Sequence, residues 1–129
     1  MAQELVEARR AHAWSGLYFG GVAFKYQREV PPESLGRAAV AALPFMDVIC
    51  TSGPGTAQPA KVDKVEALRE GIGQRGALAL ASGVTDANVT DYLPYVDAYL
   101  VGTSLERSFG VLDPNRVARL HDLIASYSA

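Results

Sequence analysis

Four short apolar runs, each ending in small or hydroxyl-bearing residues, alternate with helix-forming stretches along the chain. The runs are Leu17–Phe24 (LYFGGVAF), Asp47–Thr51 (DVICT), Ala77–Ala81 (ALALA) and Ala98–Val101 (AYLV). Uninterrupted apolar runs of this length belong to strands buried on both faces, and strands of that kind pair in parallel. Right-handed crossovers leave two architectures, an open doubly wound sheet or an arc of a (β/α)8 barrel. A complete barrel takes about 200 residues or more, so a single domain of 129 residues supplies half of one. The expected fold is α/β: a (β/α)4 half of a TIM barrel over residues 1–129, preceded by an N-terminal helix.

The stretches between the runs carry helical signals. Ala2–Ala13 is rich in helix formers, with Leu5, Ala8 and Ala11 or His12 at helical spacing and Gly16 as the stop. Pro31-Pro32 breaks the next loop, and Glu33–Leu43 presents Leu35, Ala38, Ala39, Ala42 and Leu43 on one face. In Lys61–Glu70 and just beyond it, Val62, Val65, Leu68 and Ile72 point inward, with Gly71 or Gly73 ending the helix. Thr85 is expected to cap a short helix ending at Pro94, and Thr103 with Glu106 matches a capping box. Asp113-Pro114 supplies an N-cap and a first-turn proline for a last helix, whose stripe is Val117, Leu120, Ile124 and Tyr127.

Composition narrows the function classes. A formal charge of −2 gives no basic field for nucleic acid or an anionic membrane. No apolar run approaches the ~20 residues that span a bilayer, and the acidic start MAQELVEARR is not a secretory signal. Cys50 is the sole cysteine, which fits a reducing, cytoplasmic setting. Two isolated histidines and one cysteine make no metal-ligand spacing, so neither a metal nor a cofactor is expected.

The polar and small residues gather at the C-terminal ends of the runs, the edge where βα proteins bind ligands. Ser82-Gly83-Val84 and Gly102-Thr103-Ser104 each follow a strand. Glycine there bares backbone N–H groups, and two such turns on consecutive parallel strands face one point, which suggests a phosphate. Ser52, Gly53 and Thr56 on the preceding strand end are candidate ligands for a sugar hydroxyl. Lys25 is the candidate catalytic residue. Ending an apolar strand, it suits an acid, a base or a Schiff-base amine if desolvated, and equally a cation that pairs with substrate phosphate. Asp47 and Asp97 lie at the opposite edge, where residues serve stability. His12, His121 and the Arg9-Arg10 pair read as surface positions, Cys50 as core packing and Trp14 as an anchor for the first helix.

These residues resemble the C-terminal half of the BtpA/SgcQ proteins, a (β/α)8 group related to the phosphate-binding barrels. Ser52, Gly53, Thr56 and Pro59 match that family's Ser-Gly-x-x-Thr-Gly-x-Pro loop after strand six. Ser82 through Asn88 and Val89 match its Ser-Gly-Val-Thr-x-x-Asn-Val after strand seven. Val101–Leu105 matches Val-Gly-Thr-Ser-Leu after strand eight, and Asp113, Pro114, Arg116 and Val117 match Asp-Pro-x-Arg-Val in the last helix. The resemblance implies that the four runs are strands five to eight and that a phosphorylated small molecule, a phosphosugar or nucleotide, is bound at the last two. It also implies a link to membrane-complex (photosystem I) biogenesis in the cyanobacterial branch and an enzyme elsewhere. A phosphoribosylanthranilate-isomerase-like sugar-phosphate enzyme and a non-catalytic assembly protein are the alternative readings.

Two positions depart from that pattern. Ala57 stands where the strand-six loop has glycine, which speaks against a positive φ there. Lys25-Tyr26 replaces Val-Lys-His, which removes an acid/base histidine. Strands one to four of the barrel have no counterpart in these residues. A half-barrel leaves two sheet edges and an apolar inner face open. Homo-oligomerisation about a two-fold would close them; a longer gene product or a flatter open sheet are the alternatives.

Overall fold

The computed structural model describes residues 1–128. Its elements run in chain order α1 (Ala2–Ala11), β1 (Phe19–Gly21), α2 (Leu35–Ala42), β2 (Val48–Ser52), α3 (Val62–Ile72), β3 (Ala77–Ala81), α4 (Val89–Tyr92) and β4 (Ala98–Leu100). A small antiparallel hairpin, β5 (Glu106–Ser108) and β6 (Val111–Leu112), precedes α5 (Pro114–Ala125). The main sheet has the order β1-β2-β3-β4, all parallel, with Phe19 beside Val48, Ile49 beside Leu78 and Ala79 beside Ala98. This is the expected (β/α)4 half of a TIM barrel with a leading helix.

The two faces of the sheet are built differently. Ile49, Leu78 and Leu80 face the helices, where they pack with Leu35 and Ala39 of α2, Val65, Leu68 and Ile72 of α3, Val89 and Tyr92 of α4, and Leu120 of α5. The other face carries the small set Val48, Cys50, Ala79 and Ala81, flanked by Phe24, Ala77 and Ala98. Burial pushes the Cys50 thiol from 9.0 up to about 11, which makes it a poor nucleophile near neutrality. The expectation that both faces are buried holds for the central strands, where Val48, Cys50, Ala79 and Ala81 are buried like the helix-side residues, and fails only at the outer strands. Phe19 on β1 and Leu100 on β4 remain 37% and 48% exposed on the small-residue face.

Carboxylates at the strand starts hold neighbouring strands together. Asp47 accepts the Tyr18 N–H at 2.7 Å, and Asp97 accepts the Leu78 N–H at 2.8 Å. Each also pairs with an arginine, Asp47 with Arg9 at 2.8 Å and Asp97 with Arg69. The Tyr18 N–H bond, with Arg9 nearby, holds the Asp47 carboxyl below the usual carboxylate range. These residues serve stability, as their edge of the sheet implies. Arg9 also stacks 4.9 Å over Trp14, which tethers α1 although that helix buries none of its residues.

Helices α2 and α3 cross at two glycines. A Cβ on Gly71 would lie 2.5 Å from Gly36 Cα and 2.6 Å from its carbonyl oxygen, whereas a Cβ on Gly36 meets nothing closer than 3.5 Å. The asymmetry gives opposite expectations for two identical substitutions. Gly71→Ala should cost about 1–3 kcal/mol, because backbone must move to admit the methyl group. Gly36→Ala should be neutral or stabilise by up to about 1 kcal/mol through helix propensity. Urea titrations of both variants measure the difference.

Three local expectations are corrected. β1 is three residues long because the chain turns at Ala23, where φ is 49°. Thr85 caps no helix. Its N–H donates to Asn88 Oδ1 at 2.8 Å, and α4 begins only at Val89. The capping box at Thr103 and Glu106 does not form either: a 3-10 turn spans Thr103–Leu105, and Glu106 enters β5 and accepts the Gly110 N–H. Asp113 does cap α5, accepting from the N–H groups of Asn115 and Arg116.

Candidate functional site

The C-terminal ends of the strands carry an unusual density of left-handed backbone. Ala23 and Tyr26 beyond β1, Ala57 beyond β2, and Ser82 beyond β3 all have positive φ, at 49°, 64°, 60° and 67°. Ala57 thus adopts the conformation that its side chain disfavours, against the expectation from the glycine it replaces. Each such residue costs about 1 kcal/mol or more, and strain of this kind gathers at ligand sites.

Glycines let the β2 and β3 loops interlock. A Cβ on Gly53 would overlap the Gln58 carbonyl oxygen, and one on Gly83, at φ 71°, would overlap the Gln58 carbonyl carbon. The Gln58-Pro59 peptide is therefore wedged between the two turns. Asn88 closes the β3 turn from behind: its Nδ2 donates to Gly83 O and its Oδ1 accepts from Thr85 N, both at 2.8 Å. Ser104 Oγ donates to Val84 O at 2.6 Å and clips the β4 turn to the β3 turn.

Between these turns lies a cavity of about 370 Å³. Ser82, Gly83, Val84, Gly102, Thr103 and Ser104 all line it, together with Lys25 and Thr56. Lys25 Nζ donates to Ser82 Oγ at 2.8 Å and to Thr56 Oγ1 at 3.3 Å, which brings its charge to the cavity. Among the described residues, the N–H groups of Gly83, Val84, Gly102, Thr103 and Ser104 have no protein acceptor. Bare N–H groups, two hydroxyls and an ammonium suit an oxyanion. No α-helix starts at either turn, so the polarity comes from individual N–H groups and Lys25 and not from a helix dipole.

Ser52 and Gly53 do not line this cavity. Ser52 is fully buried, and its hydroxyl accepts the Lys25 N–H and donates to the Gly53 carbonyl, both at 2.8 Å. It fixes the backbone from which the Lys25 side chain springs. Gly53 instead borders a neighbouring cavity of about 560 Å³, shared with Lys25, Lys61 and Lys64.

Lys64 is a residue that sequence reasoning missed. Its Nζ donates to Ala23 O and Ser52 O, both at 2.6 Å, and so ties the ends of β1 and β2 together. Partial burial lowers its pKa. The available signal was its register, four residues before the buried Leu68 on the inward stripe of α3. Tyr26 was passed over too. It is 80% exposed, and its hydroxyl meets Thr56 Oγ1 at 3.3 Å, a bond that lowers its pKa. His12, just past the end of α1, and His121 on α5 are exposed, and neither lines the cavity. No helix among the described residues is long and apolar enough to cross a membrane.

No family model and no curated protein matches the sequence. The fold does have solved counterparts. The chain is similar to phosphoribosyl anthranilate isomerase from Thermus thermophilus, with a TM-score of 0.52 and 14% identity over 97% of this chain and 68% of that one. At that identity the likeness concerns architecture alone: the chain has the fold of half a TIM barrel.

Proposed function

We propose that the cavity between the β3 and β4 turns binds the phosphate group of a small phosphorylated molecule, a phosphosugar or a nucleotide. One observation carries this reading: five residues whose backbone N–H groups have no protein acceptor line one cavity that Lys25 also lines, its ammonium held by Ser82. In this reading Lys25 neutralises the phosphate, Ser82 and Thr56 orient the lysine, and Thr56 also faces the remainder of the ligand. The four motifs shared with the BtpA/SgcQ proteins support the same assignment and extend it to a BtpA-like role, including the photosystem I link of the cyanobacterial branch.

The architectural likeness to phosphoribosyl anthranilate isomerase favours a second reading, a sugar-phosphate isomerase. Such chemistry wants a carboxylate paired with a thiol or second acid at strand ends. Here Cys50 lies mid-strand with its thiol raised to about 11, and Asp47 and Asp97 occupy the opposite edge. Phosphate binding is therefore the better-supported function, and a non-catalytic assembly role is compatible with it.

Thermal melting in inorganic phosphate, a pentose 5-phosphate and a nucleoside monophosphate tests the reading, with chloride at matched ionic strength as reference. A ligand at 100 times its Kd should add about 2.7 kcal/mol, roughly 10 °C for a domain of this size. Gly102→Asp should abolish the shift. A Cβ at Gly102 meets nothing within 4 Å, so an aspartate is accommodated without a clash and adds a negative charge at a residue that lines the cavity. No shift with any of the three, or an equal shift in Gly102→Asp, overturns the proposal.

A further inference from the structure

The loops after β1 and β2 enclose the neighbouring cavity of about 560 Å³. Lys25 lines both cavities, and the β2 loop contributes to both, with Gly53 and Pro54 on this one and Thr56 and Ala57 on the other. Besides Lys25, the larger cavity is lined by Arg28, Lys61 and Lys64, with Glu29 as its one carboxylate. Four of the 12 basic residues thus meet at one place in a chain of net charge −2. Among the described residues none of the four forms an ion pair, whereas Arg9, Arg69, Arg116 and Arg119 each do.

Stability does not account for this gathering. Like charges brought together repel one another. Lys61 stands at the N-cap of α3, where the helix dipole disfavours a cation, and its side chain caps nothing. Arg28 is exposed and makes no side-chain hydrogen bond among the described residues. Lys64 is partly buried, and its bonds to Ala23 O and Ser52 O use two of its three donors. The loop that carries Lys25 and Arg28 has a fixed shape: the Phe24 N–H donates to Gln27 Oε1 at 3.1 Å, and the Lys25 N–H to Ser52 Oγ at 2.8 Å. An anion in the cavity would offset the repulsion among all four cations.

We propose that this cavity binds a second anionic group of the same ligand, a phosphorylated molecule that carries a further phosphate or a carboxylate at its other end. The first group rests on the phosphate reading; the second is bound by Arg28, Lys61 and Lys64, with Lys25 shared between the two. Isothermal titration compares a pentose 5-phosphate with a pentose 1,5-bisphosphate and a pentonate 5-phosphate. At least one of the two doubly anionic ligands should bind about tenfold or more tightly than the pentose 5-phosphate. Which of them does so identifies the second group.

Arg28→Gln with Lys61→Gln should abolish that preference, and either substitution alone should lower it part-way. Both side chains are exposed, so the fold is retained. Arg10→Gln with Arg107→Gln removes the same charge at two exposed positions that do not line the cavity, and should leave the preference in place. Equal affinity for the three ligands overturns the proposal and leaves the phosphate reading standing. So does a preference that survives Arg28→Gln with Lys61→Gln, or one that the Arg10 and Arg107 pair abolishes as well. An affinity for the pentose 5-phosphate that Gly102→Asp leaves unchanged overturns the phosphate reading instead. No binding by any of the three overturns both.

Discussion

Gly83→Ala is expected to lower stability by about 2–4 kcal/mol, through a cost that is local in origin and long-range in effect. The first part is conformational: at φ 71° a Cβ-bearing residue pays about 1 kcal/mol that glycine does not. The second is steric, because the new methyl group would overlap the Gln58-Pro59 backbone. Overpacking against groups that must shift costs about 1–3 kcal/mol. The displaced segment belongs to the β2 loop, which holds Thr56 against Lys25, so the cavity loosens from two sides at once. Urea unfolding should show a lower midpoint at an unchanged slope, which separates lost stability from an altered denatured state. A loss below about 1 kcal/mol would mean that the β2 loop yields freely and that the interlock is not rigid. Gly102→Ala is the internal reference, since its Cβ enters open space and its φ is −130°.

The parts of the fold legible in the sequence are those whose determinants are local. β3 matches the apolar run at both ends because Leu78 and Leu80 alternate with alanines that suit the opposite face. Asp113-Pro114 caps α5 as read, since a cap needs only its own next two or three N–H groups. The failures arise where a local signal competes with a partner distant in sequence. Thr103 and Glu106 have capping-box spacing, but the Ser104 hydroxyl is taken by Val84 O, 20 residues back, and the chain leaves in a hairpin. Likewise β1 stops early because Ala23 turns so that its carbonyl can meet Lys64.

The site divides along the same line. Both glycine turns were readable, since a strand end followed by small residues is a short-range pattern, and the structure places all six of their residues around one cavity. What joins them was not readable. Lys25 reaches Ser82 across 57 residues, and Lys64 matters only because β1 and β2 end with carbonyls facing it. The assignment of Ser52 to substrate ignored its neighbour in space, the Lys25 N–H, which occupies its hydroxyl inside a fully buried site.

Lys25→Met should weaken phosphate binding by about 10- to 100-fold while leaving the fold in place. A hydrogen bond to a charged group contributes about 1.5–3 kcal/mol, and each 1.4 kcal/mol is about tenfold in Kd. The methionine keeps an unbranched apolar stem out to Cε and the backbone N–H bond to Ser52, so what it removes is the ammonium. Lys25→Arg should retain most of the affinity, because the cavity then still receives a cation. Isothermal titration with inorganic phosphate distinguishes the three proteins, and raising the salt concentration should narrow the gap between wild type and Lys25→Met as the charge is screened. Equal affinity in wild type and Lys25→Met would leave the bare N–H groups of the two turns as the whole of the anion site. It would return the lysine to the role of a strut between Ser82 and Thr56. A loss shared by Lys25→Arg would instead mean that the site measures the shape of the ammonium and not its charge alone, as expected of a group that must fit between two fixed hydroxyls.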